Sequence, residues 1–162
     1  MLQRLLSAVA ASAVIAIGGA GLAHENTDVP SLGGHEQSAA TSATIKEVLK
    51  STKTAYGKPL QYPEGTPELR LYRVELPVGG KIPLHTHPAP MMVYVQGVNS
   101  GDLIITRVMA DGKEVSTKYN SGSAFIEGGS EPHYAQNKSD EPTIVWVTVA
   151  GVEGMPTTIP VK

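Results

Sequence analysis

Three histidines carry the densest chemistry in this chain. His85 and His87 stand one residue apart in the run Gly79-Gly80-Lys81-Ile82-Pro83-Leu84-His85-Thr86-His87-Pro88, and His133 follows far downstream. On an extended strand, residues i and i+2 point to the same face, so the pair aims two imidazoles at one point. Imidazole is the commonest protein metal ligand. Three of them can hold one divalent transition metal (Fe, Mn, Zn, Ni or Cu) and leave coordination positions open. The expected metal ligands are therefore His85, His87 and His133.

Such ligands need rigid strands to hold them. With 17 Gly and 12 Pro in 162 residues, many short strands are expected rather than long helices. Strand-like runs cover Leu69–Leu76, Ile82–Thr86, Met91–Gln96, Asp102–Met109, Glu114–Tyr119, Ser123–Glu127, His133–Gln136 and Thr143–Ala150. Asp111-Gly112 predicts a hairpin between the fourth and fifth runs. Thr143–Ala150 is apolar on both faces and is expected at the centre of a sheet. Tyr94, Tyr134 and Trp146 read as core. The segment Ala43–Lys50 is too short to assign to helix or strand. Strands at this spacing imply an all-β antiparallel sandwich or barrel.

Composition removes several function classes. Thirteen Lys+Arg against 15 Asp+Glu leave no basic patch, which excludes nucleic acid as a partner. There is no cysteine, hence no disulfide, thiolate metal site or cysteine nucleophile.

The first residues have their own pattern. Arg4 precedes an uncharged apolar run over residues 5–20, and Gly21-Leu22-Ala23 places small residues where a signal peptidase reads. Residues 1–23 are expected to be a secretory signal, giving a periplasmic or secreted protein with no membrane attachment after cleavage; an uncleaved anchor is the alternative. Residues 24–42 read as a flexible polar tail, and 43–162 as the folded domain. Cleavage would make His24 an N-terminal copper chelator, but a copper brace needs a second histidine on a folded surface and His35 lies in the tail. Both histidines read as incidental.

The spacing around the histidines resembles the two cupin motifs. The first motif is Gly, five residues, His-x-His, three or four residues, Glu, six residues, Gly. Gly79, His85, His87 and Gly97 fit its frame, with one residue too few after His87. The second is Gly, five residues, Pro-x-Gly, two residues, His, three residues, Asn. Gly122, His133 and Asn137 match it at full spacing, with Gly128 and Ser130 where Pro and Gly are usual. The resemblance spans residues 43–155, and Thr54–Pro67, His85–Pro88 and residues 150–154 look like a broad group of small bacterial cupins with no settled activity. It implies a double-stranded β-helix, the cupin jelly roll, with a site inside the barrel mouth. Asn137 is expected to hydrogen-bond the loop backbone. A homodimer is also implied.

One family residue is missing. Cupin metal sites use three His and one Glu, and here the Glu position falls on Pro90, Met91 or Met92. Three readings follow: a three-histidine site, a thioether from Met91 or Met92 favouring copper, or Glu127 or Glu131 reaching in. The three-histidine site ranks first. The implied function is an oxygenase-type metalloenzyme acting on a small molecule, with Glu127 or Glu131 as a base. The alternative is a non-catalytic cupin that binds a small ligand and has no functional metal site.

Overall fold

The computed structural model describes residues 42–162; the expected signal segment and nearly all of the expected tail lie outside the described residues. Among the described residues nine strands form: β1 (Pro67–Leu76), β2 (Lys81–Thr86), β3 (Met91–Val95), β4 (Leu103–Val108), β5 (Glu114–Tyr119), β6 (Ala124–Glu127), β7 (His133–Gln136), β8 (Thr143–Val152) and β9 (Ile159–Pro160). They make two antiparallel sheets, ordered β1-β8-β3-β6 and β5-β4-β7-β2-β9. No helix among the described residues is long and apolar enough to cross a membrane.

The pairings show how the chain rolls up. β1 pairs with β8, β2 with β7, β3 with β6 and β4 with β5. That is one long hairpin, closed at its tip by the turn after β4 and wrapped over itself, with alternate strand pairs falling in alternate sheets. This is the eight-stranded jelly roll, the double-stranded β-helix of the cupins. At the tip, the Gly112 amide donates to the Met109 carbonyl at 2.8 Å, and Gly112 takes a φ of 80°. That φ lies in the left-handed region open to glycine, so Asp111-Gly112 does form the expected turn.

β8 lies between β1 and β3, as its doubly apolar sequence requires. Its burial alternates from Val145 to Ala150: Val145, Val147 and Val149 are buried, while Thr148 and Ala150 are half-buried and Trp146, 37% exposed on the same outer face, donates its indole N–H to Gln96. Trp146 is thus not core, contrary to the sequence reading. Tyr94 is half-buried, and Tyr134 sends its hydroxyl out to the Glu114 carboxylate. The segment 43–50 takes no regular structure.

Between the sheets lies a core of Leu76, Val93, Val95, Leu103, Ile105, Phe125, Val145, Val147 and Val149. Tyr119 stacks on Phe125 with centroids 3.7 Å apart. Buried Asn137 ties the strand ends: its amide donates to the carbonyls of Leu76, Pro77 and Glu141, and its Oδ1 accepts from the Ser139 amide. This is the loop-fastening role expected of it, and it leaves no buried donor of that amide unpaired.

Candidate metal centre

The ladder brings the predicted histidines together. His85 on β2 stands directly opposite His133 on β7. Pro83 has no N–H to give to the ladder, and the β2–β7 register shifts between Ile82 and His85. His87 follows two residues after His85, and its carbonyl accepts from the Ser130 amide at 3.1 Å. The three rings lie with centroids 4.5–5.0 Å apart. All three side chains are buried, His133 most completely at 1% exposed.

Hydrogen bonds fix how each ring presents itself. The Nδ1 atoms lie 2.6 Å from the Pro83 carbonyl for His85, 2.8 Å from the Thr157 carbonyl for His87, and 2.8 Å from the Glu131 carbonyl for His133. A carbonyl oxygen only accepts, so each Nδ1 carries the proton and each neutral Nε2 presents a lone pair. The Nε2 atoms of His85 and His87 stand only 3.1 Å apart. Two lone pairs at that distance repel unless a cation lies between them. Backbone carbonyls gripping the remote nitrogen are the usual outer support of metal-ligating histidines.

Glu127 completes the cluster from the other sheet. It ends β6 and is 5% exposed. Its Oε1 lies 3.4 Å from His133 Nε2, and its Oε2 lies 3.7 Å from His87 Nε2. Both Glu127 Oε1 and His133 Nε2 are buried with no hydrogen-bond partner. An ion about 2.1 Å from each donor separates neighbouring donors by roughly 3.0 Å in an octahedron and 3.4 Å in a tetrahedron. The observed spacings of 3.1, 3.4 and 3.7 Å begin near the octahedral edge and run slightly past the tetrahedral one. One ring nitrogen from each of His85, His87 and His133 falls within 4.8 Å of the others. This donor set is that of a divalent transition-metal site.

The strand ladder shows why a carboxylate arrives from here. Met91, one of the three residues on which the motif's Glu position falls, is the direct cross-strand partner of Glu127. Paired residues point to the same face, so the two side chains share one wall of the barrel. Met91 is buried and lines the cavity; Met92 faces outward, 46% exposed. Glu131 does not reach the cluster with its side chain. Its carboxylate instead pairs with Lys58 at 3.4 Å and Arg107 at 3.7 Å, and only its backbone carbonyl serves His133.

The second motif departs from the family for a backbone reason. Gly128, Gly129 and Ser130 adopt φ values of 136°, 70° and 56°. Proline cannot take such a φ, and a Cβ at position 128 would sit 3.0 Å from the Ala89 carbonyl. Glycine there lets β6 end with Glu127 aimed inward.

Electrostatics suit a metal. Burial depresses the His85 and His87 pKa values below the ordinary imidazole value, so both are neutral and ready to ligate near pH 7. Burial also pulls on His133, but the Glu127 carboxylate outweighs it and raises that ring.

Two contributors carried no sequence signal. Tyr56, from the loop before β1, lies 6.3 Å from the His133 ring and has a buried, unpaired hydroxyl. Burial, then the charge of Glu127, pushes its phenol far above its usual range. Thr157 belongs to a C-terminal strap. Arg70 donates to the Met155 carbonyl and to Thr157 Oγ1, and β9 pairs with the end of β2. Removing residues 156–162 deletes the acceptor that orients His87 while sparing the eight core strands. It should weaken metal affinity by about 10- to 100-fold in a chelator competition, with the fold retained by circular dichroism.

No protein-family model matches the chain, and no curated protein sequence matches it. Solved structures share part of the fold. An oxalate oxidase aligns at 22% identity with a TM-score of 0.49, over 57% of this chain and 46% of its own. The oxalate decarboxylase of Lactobacillus farciminis, solved as a formate complex, aligns at 21% and 0.48 over 57% and 26%. The oxalate decarboxylase of Bacillus subtilis, described by its Mn(II) centers, aligns at 22% and 0.46 over 60% and 24%. The chain thus spans less than half the length of each of these proteins.

Proposed function

We propose that this chain is an exported cupin metalloenzyme of the oxygenase type, holding one divalent transition metal on His85, His87, His133 and Glu127 and acting on a small molecule inside the barrel. The observation that carries the reading is the convergence of three Nε2 lone pairs on a point flanked by the unpaired Glu127 Oε1. A bound metal would supply Lewis acidity and positions for substrate and dioxygen. The chain's own residues do the rest. Backbone carbonyls hold the rings, Glu127 sets one negative charge beside them, and the aliphatic walls keep water out.

Metal analysis of untagged full-length protein tests the proposal. About one metal per chain is expected, falling to near zero in His133→Ala, since loss of a facing ligand exceeds the 10- to 100-fold loss seen for outer-shell partners. Less than roughly a tenth of a metal per chain, unchanged by that substitution, would overturn it.

Export is supported by the pattern of residues 1–23 alone. N-terminal sequencing of the protein recovered from the periplasm should begin at His24. The homodimer implied by the family resemblance is checked by sedimentation of the same sample.

A non-catalytic ligand-binding role is favoured by one feature of the cavity. Outside the donor cluster its polar side chains are Tyr72, Thr157 and Thr158 only. That role requires ligand binding to survive chelation of the metal.

A further inference from the structure

The donor cluster opens into a cavity of about 330 Å³. Its walls come from both sheets and are aliphatic, with Leu76, Val93, Ile105, Ala135, Val145 and Val147 among them. Among the described residues, no lysine, arginine, aspartate, asparagine or glutamine lines it. Arg107, the cross-strand partner of His133, is committed elsewhere. Its guanidinium lies 4.8 Å over the Tyr56 ring and 3.7 Å from Glu131.

We infer that the ligand of this cavity has one anionic oxygen group at the histidine end and an uncharged apolar body, and is neither a dicarboxylate nor a sugar. The inference rests on the metal-centre reading and narrows it to a substrate class. A divalent cation held by three neutral imidazoles and one carboxylate keeps one positive charge. One anionic oxygen neutralises it, which a dry site favours. A second charge or a ring of hydroxyls would lie mostly against aliphatic walls, where the hydroxyls of Tyr72, Thr157 and Thr158 are the few polar partners and the first two already bond each other, which is costly. Size sets the body. An apolar cavity of about 150 Å³ holds benzene, so this one takes roughly ten to twelve heavy atoms.

Three probes isolate the terms: acetate, heptanoate and heptanedioate. They share a carboxylate and differ in body length and in a second charge. Each buried methylene is worth about fourfold in affinity, so heptanoate should bind the metal-loaded full chain at least about a hundredfold more tightly than acetate by calorimetry, even after ordering its chain. Heptanedioate should lose most of that gain. Filling the cavity from either sheet, by Val147→Phe or Ala135→Leu, should erase the heptanoate advantage over acetate, with metal content read on the same samples. Two filling variants guard against one failing to fold. Toluene should raise the melting temperature of the chelated protein, and the same variants should abolish that shift.

The outcomes separate the two readings. A metal-free protein defeats the metal centre, while toluene still decides whether the cavity accepts an apolar body. With metal present, a heptanoate gain of less than about tenfold over acetate, well below the methylene expectation, overturns the substrate inference. Heptanedioate binding as tightly as heptanoate also overturns it.

Discussion

Chelating the metal should lower the melting temperature by on the order of 10–15 °C, and adding it back should restore the loss. A ligand that binds only the folded chain, at a thousandfold excess over its dissociation constant, contributes about 4 kcal/mol. A domain of this size shifts by roughly 3–4 °C per kcal/mol. The structure gives the reason for the penalty of emptying the site. The lone pairs of His85 and His87 would face each other at 3.1 Å, and the buried Glu127 Oε1 and His133 Nε2 would have no partner. Calorimetry with and without chelator measures the shift. A change below about 2 °C would mean that the site adds almost nothing to folding.

Acid should mimic the chelator. His85 and His87 are depressed by burial, so below about pH 6.5 the unfolded chain takes up protons that these rings refuse in the fold. Their contribution to stability is therefore lost as pH falls from there toward their folded values. His133 has the opposite sign. Burial lowers it, Glu127 more than offsets that, and its raised value adds stability below about pH 6.5 that disappears as pH rises through the folded value. In the metal-free protein the two depressed rings weaken the fold in acid and His133 opposes them. Metal retention falls as pH falls, because protons and metal compete for the same Nε2 atoms.

The sequence showed the strands clearly because Gly and Pro mark nearly every turn between them. All eight expected runs became β1–β8, with ends that differ by at most two residues. The histidine triad was legible because i and i+2 on a strand share a face, and because a second motif placed His133. Glu127 stood among the alternatives, ranked below a bare three-histidine site. Its role depends on which residue of β6 pairs with which residue of β3, and spacing along one strand does not carry that register. The strap was invisible for a related reason. Ile159-Pro160 is too short to show alternation, and Thr157 acts through its backbone carbonyl, which any residue type would offer. Trp146 went the other way: a large aromatic in a doubly apolar strand still belongs to one face, and its face is the outer one.

Moving the carboxylate across the ladder should move the ligand. Glu127→Gln keeps the shape and removes the charge. It should cost at least about a hundredfold in metal affinity by chelator competition, since even outer-shell partners cost 10- to 100-fold. Adding Met91→Glu to that variant should recover affinity to within about tenfold, because directly paired residues hold their Cβ atoms about 5 Å apart on the same face. Met91→Glu alone places two carboxylates in one buried wall. It should destabilise the metal-free protein by a few kcal/mol and leave the loaded protein little changed, about as expected when a buried charge lacks a partner until the cation arrives. Unchanged affinity in Glu127→Gln would leave a bare three-histidine site. Rescue is the discriminating result. A Glu127 that only packs or only fastens the turn at Gly128 would gain nothing from a carboxylate on the neighbouring strand. A Glu127 that faces the ion would be replaced by it, since the ladder pairs positions 91 and 127 and both residues line the same cavity.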